Sequence, residues 1–199
     1  MSRTKLSVKD LFWDLARACG QEPDTAINAS GVSAMLTAQL LRCLNTAYQE
    51  AYTSNEWEDA WADGPLTPTN GLIAYSAMGE ARKFLLFSED PRPVNSVAYA
   101  LQAVTSADGI QVQSELGTVF ALWLPAVSVF TDAASTSLLV VASIAPAVVH
   151  LARAEYLRST GQNETSEYYE QKGKEKLEEI HAEEFQRVQR CWWRKVAYN

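Results

Sequence analysis

Residues 137–189 read SLLV VASIAPAVVH LARAEYLRST GQNETSEYYE QKGKEKLEEI HAEEFQRVQ. The run opens on Leu138, Leu139, Val140, Val141, Ile144, Val148 and Val149, gathers charge through Arg153, Glu155 and Arg158, and ends rich in Glu and Lys. An apolar start that grades into a solvated end is the pattern of a helical element rooted in a core and projecting from it. Pro146 fits the first turn of a helix starting near Ser143, or it kinks one starting near Thr136; the first-turn position is favoured. The helix then turns Val148, Val149, Ala152, Tyr156 and Leu157 inward, and Gly161 interrupts or ends it. Asn163 or Thr165 can cap the next helix, with Glu164 and Glu167 at its positive end. The apolar stripe of that last helix is thin (Tyr169, Leu177, Ile180, Val188, Trp192); the rest is Glu and Lys at helix-compatible spacing.

Upstream, two further helices are predicted. Ser7 can cap the first, with Asp10 three positions on and Leu11, Phe12, Leu15 and Cys19 repeating at helical spacing until Gly20. The connector around residues 21–29 holds Pro23 and Asp24. The second, over about residues 33–54, carries Leu36, Leu40, Cys43, Leu44, Ala47, Tyr48, Ala51 and Tyr52 on one stripe, with Arg42, Gln49 and Glu50 off it. Trp57 and Trp61 follow in an acidic setting; four apart, they can share one helix face, as a lid on the core or as a ligand platform, and the lid is the default.

From Gly64-Pro65 and residues 68–71 the helical pattern breaks. Residues 72–75, 83–87, 97–104 and 118–124 look like strands, with Glu89-Asp90-Pro91-Arg92-Pro93 as a turn or rigid loop. Asp108-Gly109 signals a hairpin, and Ile110 and Val112 alternate with Gln111 and Gln113. The 118–124 segment is apolar on both faces, so it is either central to a covered or closed sheet or meets another subunit; burial within the chain is the default. The expected fold is therefore α+β: mainly an α-helical bundle (N-terminal helices 1–63, C-terminal helices 133–190) with an inserted small antiparallel β-sheet or barrel-like β domain (64–132) and a docking tail (191–199).

The totals narrow the function. A chain of 199 residues, 47% hydrophobic, can bury a real core. Its net charge of −7 is the wrong sign for a sequence-independent DNA clamp. Cys19, Cys43 and Cys191 have no CxxC spacing and read as free thiols in a reducing compartment. The N-terminus carries no apolar run, so no secretory leader is expected. Between Leu116 and Ala152 the only charge is Asp132, yet the Ser, Thr, Pro and His in that stretch favour a buried helix over a membrane span.

Chemistry-bearing motifs are scarce. His150 sits in an apolar helix without Cys or carboxylate at ligand spacing, the setting of a core histidine. His181 lies among Glu178, Glu179, Glu183 and Glu184, and its HAEEF run lacks the second His of a zinc motif. No Gly-rich phosphate loop or GxSxG is present, so no enzyme, cofactor or metal is expected; a hydrolase using acids of the 57–63 segment, such as Glu58 and Asp59, is the least favoured reading. The C-terminus differs. Arg187, Arg190, Trp192, Trp193, Arg194, Lys195 and Tyr198 are residue types that anchor protein interfaces, and they either dock onto another protein or fold back on the chain's own core.

These pieces together resemble the head-to-tail adaptor proteins of tailed bacteriophages, of the tail tubular protein A type. The carriers are Leu44-Asn45-Thr46-Ala47-Tyr48 with Trp57 and Trp61; Glu89-Asp90-Pro91-Arg92; and Pro146, Ala152-Arg153-Ala154-Glu155-Tyr156-Leu157, Gly161-Gln162 and Tyr168-Tyr169. The resemblance spans nearly the whole chain. It implies a non-enzymatic virion protein of the neck, assembled in the host cytoplasm as a homo-oligomeric ring, commonly a dodecamer, beneath the portal protein. The β-rich part would face the tail or nozzle protein, and the C-terminal residues Arg190, Trp192, Trp193, Arg194, Lys195 and Tyr198 would reach the portal. DNA would pass through without specific binding, and no membrane is involved. A strongly negative ring suits such a channel, and Glu178, Glu179, Glu183 and Glu184 are the expected lining. The competing reading is a soluble helical protein-binding module or assembly factor.

Overall fold

Ser7 opens the first helix, α1 (Val8–Ala18), with a capping box: the Asp10 N–H donates to Ser7 Oγ at 3.2 Å, and the Ser7 N–H donates to Asp10 Oδ2 at 3.1 Å. Gly20, at φ +72°, takes the left-handed turn that follows the helix. The computed structural model describes residues 6–22, 32–57, 60–81, 83–87, 101, 103–112, 117–136 and 139–196, with the side chains of 32, 33, 85, 87, 139 and 185–196 outside that description. The predicted connector at Pro23 and Asp24 and the turn at residues 89–93 lie outside the described residues.

The chain divides into two compact units, residues 1–59 with 127–199, and residues 60–126. The first is helical. Its second helix, α2 (Val32–Ser54), buries Leu40, Cys43, Leu44, Ala47, Tyr48, Ala51 and Tyr52 and leaves Arg42, Gln49 and Glu50 exposed, as the stripe predicts. Asn45 on this helix clamps an extended segment: its Nδ2 donates to the Phe130 carbonyl at 2.9 Å and its Oδ1 accepts from the Phe130 N–H at 2.7 Å. Tyr48 packs on the Phe130 ring, with centroids 4.8 Å apart, and its hydroxyl accepts the Val141 N–H at 3.2 Å.

Among the described residues, the apolar start of the 137–189 stretch, from Leu139 to Ile144, is not α-helical. Leu139–Val140 forms a short strand, β8, paired antiparallel with β1 (Leu6–Ser7). A short apolar run has no periodicity to separate strand from buried helix, and the partner at the far end of the chain decides. The third helix, α3 (Ala145–Ser159), begins later, with Pro146 in its first turn. Ala147, Val148, Leu151, Ala152, Ala154 and Leu157 are buried. Among the described residues, no helix is long and apolar enough to cross a membrane.

Gly161, at φ +82°, turns the chain into α4 (Asn163–Val196), which lies against α3 as a helical hairpin. Asn163 is the first residue of α4 and Thr165 lies inside it, so neither is its cap; the Ser166 N–H donates to the carbonyl of Gln162 at 3.0 Å. Two small residues set the approach. Ser166 is buried and donates to the Ala154 carbonyl at 2.9 Å. A methyl on Gly173 would fall 2.6 Å from Leu151 Cγ and 3.3 Å from the Ala147 carbonyl oxygen, so the two backbones meet where α4 has no side chain. At 1.5 Å per residue, the 34 residues of α4 extend about 51 Å against about 22 Å for the 15 of α3. Because Gly173 already lies beside Ala147 in the first turn of α3, the remainder of α4 outruns that helix.

The second unit holds two three-stranded antiparallel sheets, β2–β7–β4 and β3–β6–β5, and among the described residues they do not close into a barrel. β7 (Val119–Leu124) is central, between β2 (Ala62–Leu66) and β4 (Lys83–Phe87); Val119 and Ala121 on one face are buried, while Phe120 and Leu122 on the other are half-buried. Gly64 and Pro65 do not end the structure there but sit in β2, an edge strand where a missing N–H is tolerated. β3 (Leu72–Ala74) pairs with β6 (Gly109–Gln111), and β6 with β5 (Val104–Thr105) through a turn over residues 106–109, in which the Ser106 N–H donates to the Gly109 carbonyl at 2.8 Å. Of the expected strand over 97–104, Val104 alone is in a strand among the described residues. Asn70 (φ +54°) and Gly71 (φ +77°) form a tight hairpin turn closed by reciprocal Thr69–Leu72 hydrogen bonds at 2.9 and 3.0 Å. Ile73, Met78, Leu86, Ile110, Val119 and Ala121 form the core shared by the two sheets.

Candidate interaction surface on the last helix

α2 stops at Ser54, and the described residues between it and β2 are not α-helical, so Trp57 and Trp61 share no helix face. Trp57 is 1% exposed and donates its Nε1–H to the Ala51 carbonyl at 2.8 Å. It is a lid on the first unit's core, closing the end of α2.

Beside this lid lies a pocket of about 330 Å³ between the end of α2 and the middle of α4. Glu50, Ser54, Asn55 and Trp57 line one side, and Lys174, Leu177, Glu178 and His181 the other. α2 carries no basic residue in its last turn, so the negative end of its dipole and the carboxylates of Glu50 and Glu178 act together. Lys174 offsets part of this from across the pocket, although its ammonium is engaged by Glu170 at 2.5 Å. That ion pair, with Glu50 nearby, raises the Lys174 pKa above its ordinary value.

The pocket contains no activated nucleophile. Ser54 Oγ donates to the Ala51 carbonyl at 2.8 Å, and the His181 Nδ1 meets the Asn55 amide, so hydroxyl and imidazole have separate partners. Among the described residues there is no group of three or more His, Cys, Asp or Glu able to hold a metal. The arrangement suits recognition of a polar side chain, with an apolar floor and carboxylates at the edge.

The four glutamates expected to line a channel divide between two directions. Glu179 and Glu183 are exposed and, four apart, lie on one side of α4; Glu179 takes an ion pair from Lys176 at 2.5 Å. Glu178 is exposed at the pocket, about a quarter-turn round the helix. Glu184 is half-buried and has a polar or electrostatic partner. Arg190, Trp192, Trp193, Arg194 and Lys195 lie within the backbone of α4, their side chains outside the described part, and Tyr198 lies outside the described residues. Asn55 and Lys174 reach the pocket without a sequence signal for it; Trp57, Glu178 and His181 stood out in the sequence, but nothing there joined them into one place. Compared with protein-family models, curated proteins and solved structures, the chain matches none.

Proposed function

We propose that this chain is a structural virion protein, a head-to-tail adaptor that docks as a homo-oligomeric ring beneath a portal protein and forms part of the DNA channel and the platform for the tail. The observation that carries the reading is the last helix. α4 is 34 residues long, has reached the first turn of α3 by Gly173, and carries the Trp192-Trp193-Arg194 segment near its far end. A core-rooted rod ending in Arg and Trp is a means of reaching into another protein. The antiparallel β unit inserted between α2 and α3 supplies a second surface, for the tail or nozzle protein. The net charge of −7 per copy gives an assembled ring a field that repels DNA phosphate, and Glu179 and Glu183 are the exposed pair on one side of α4 that would face it. In this reading the protein works by assembly, without catalysis, cofactor or metal.

The test is capture by a portal protein. The full chain is expected to co-sediment with portal rings, and a chain lacking residues 191–199 to lose that association while keeping its helical circular dichroism and its thermal transition. Retention of binding by the truncated chain would refute the docking role of the tail. A second reading, a protein-binding module outside any particle, is favoured by the pocket beside Trp57. It predicts that Glu178→Ala, and not the truncation, abolishes partner binding.

A further inference from the structure

In a chain whose net charge is −7, the α3–α4 hairpin carries a local concentration of cations around two tyrosines. Tyr169 on α4 is the hub. The His150 ring of α3 stacks on it, with centroids 6.0 Å apart and planes 18° from parallel, and the Arg153 guanidinium lies 3.9 Å from its ring centroid. Tyr168 stands edge-on to Tyr169 at 5.2 Å and is 53% exposed. Lys172, one turn along, places its ammonium 4.7 Å from the Tyr168 ring centroid. His150 and Arg153 are three apart on α3, and Tyr168 and Lys172 four apart on α4, so each helix turns its pair to one side.

Among the described residues no carboxylate forms an ion pair with Arg153 or Lys172. Arg153 Nε is buried and has no acceptor among the described residues. The ion pairs of the hairpin go elsewhere: Arg158 to Glu155 and Glu170, Lys174 to Glu170, and Lys176 to Glu179. Glu175 lies toward Lys172, but the Gln171 amide also donates to it, at 3.0 Å. The Cys19 thiol, near Arg153, stays neutral, because burial pushes its pKa up to about 11. The crowding registers on His150, whose pKa is lowered by burial first and then by Lys172, Arg153 and Lys176. A guanidinium held over an aromatic ring still has N–H groups directed away from the ring's face, and these can serve a bidentate acceptor.

We propose that His150, Arg153 and Lys172, gathered on Tyr169 and Tyr168, form a binding site for a phosphate-class oxyanion. Arg153 supplies a guanidinium, Lys172 an exposed ammonium, and His150 an imidazole that takes up a proton once the bound anion offsets its cationic neighbours. Three donor groups from two helices suit the several acceptor oxygens of a tetrahedral phosphate better than a planar carboxylate. The phosphate group can be free or part of a phosphodiester backbone; the chemistry is shared. The site does not depend on the portal reading and stands or falls separately from it.

The experiment follows the His150 ring protons of the full chain by NMR, with His181→Gln giving the assignment. Inorganic phosphate is titrated in against sodium chloride of matched ionic strength. Phosphate is expected to raise the His150 midpoint saturably, chloride is not, and Arg153→Gln and Lys172→Gln are each expected to weaken the phosphate response about tenfold, one lost charge-assisted contact being of that order. Lys172 is exposed, so its variant keeps the test open if Arg153→Gln does not fold. A short single-stranded oligonucleotide without terminal phosphates forms the second arm. A response to it at lower concentration than to phosphate assigns the site to a phosphodiester backbone, and a response to phosphate alone assigns it to a free phosphate group. Equal responses to phosphate and chloride, or an undiminished response in folded Arg153→Gln or Lys172→Gln protein, would overturn the proposal.

Discussion

Replacing Gly173 with alanine sets two opposed effects against each other at one atom. In an exposed helix interior the change would favour the folded state by about 1 kcal/mol, because glycine loses more backbone freedom on folding. Here the added methyl falls 2.6 Å from Leu151 Cγ and 2.7 Å from Leu151 Cδ2. That is about 1 Å inside ordinary carbon–carbon contact. Leu151 is 3% exposed and cannot swing into solvent, and the Ala147 carbonyl oxygen, 3.3 Å away, closes the other side. Overpacking of this kind costs about 1–3 kcal/mol. The steric effect wins, and Gly173→Ala is expected to destabilise the helical unit by about 1 kcal/mol net. Urea unfolding followed by helical circular dichroism measures it. The cause is then isolated by a cycle with Leu151→Ala, which alone costs about 2–5 kcal/mol as a cavity. In the double variant the new methyl enters that cavity, so its cost should fall below the sum of the singles by about 1–2 kcal/mol. A stabilised Gly173→Ala protein, or an additive cycle, would refute the claim that backbone proximity at Gly173 fixes the α3–α4 crossing.

Three further outcomes follow from the same packing. Asn45→Ala removes both hydrogen bonds to the Phe130 backbone and should destabilise the helical unit by about 1–3 kcal/mol, with faster amide exchange at Phe130 as its local signature. Ser7→Ala removes the α1 cap at a cost of about 1 kcal/mol. The Ser7 hydroxyl, followed by its N–H, holds the Asp10 carboxyl below the usual range, so this stabilisation is present above the unfolded pKa of about 3.9 and is lost as pH falls through the depressed folded value. Acid titration of stability should therefore be shallower in Ser7→Ala than in the parent chain. The Cys19 thiol, pushed up to about 11 by burial despite the opposing charge of Arg153, should alkylate roughly a hundredfold more slowly in the folded chain than in urea at mildly alkaline pH. Mass spectrometry of the labelled peptide reads that ratio, and equal rates would mean the thiol is open to solvent.

What could be read in the sequence was what short-range pattern determines. The α2 stripe from Leu40 to Tyr52, the first-turn place of Pro146, the cap at Ser7 and the hairpin at Asp108-Gly109 each depend on neighbours within about two helical turns. Asn70-Gly71 carried an equally local signal for a tight hairpin turn, yet it reads as a mere breaker when the flanking residues, Thr69 and Leu72, are not seen to pair. Leu139–Val140 is a different case. Nothing within the run separates strand from helix, and the answer lies at Leu6–Ser7, at the other end of the chain. The pocket has the same character, because Asn55 and His181 are 126 residues apart. His150 shows why a residue's chemistry depends on this long-range term. Within its own helix it has apolar neighbours and reads as a core histidine. The groups that make it part of a cationic cluster, Tyr169 and Lys172, belong to the next helix and are brought to it by the register of the hairpin. That register is set by the Gly161 turn and the bare backbone at Gly173, two glycines with no chemistry of their own. If so, a change at Gly173 that shifts α4 along α3 should also move the His150 ring resonances, although Gly173 touches Leu151 and Ala147 rather than the imidazole.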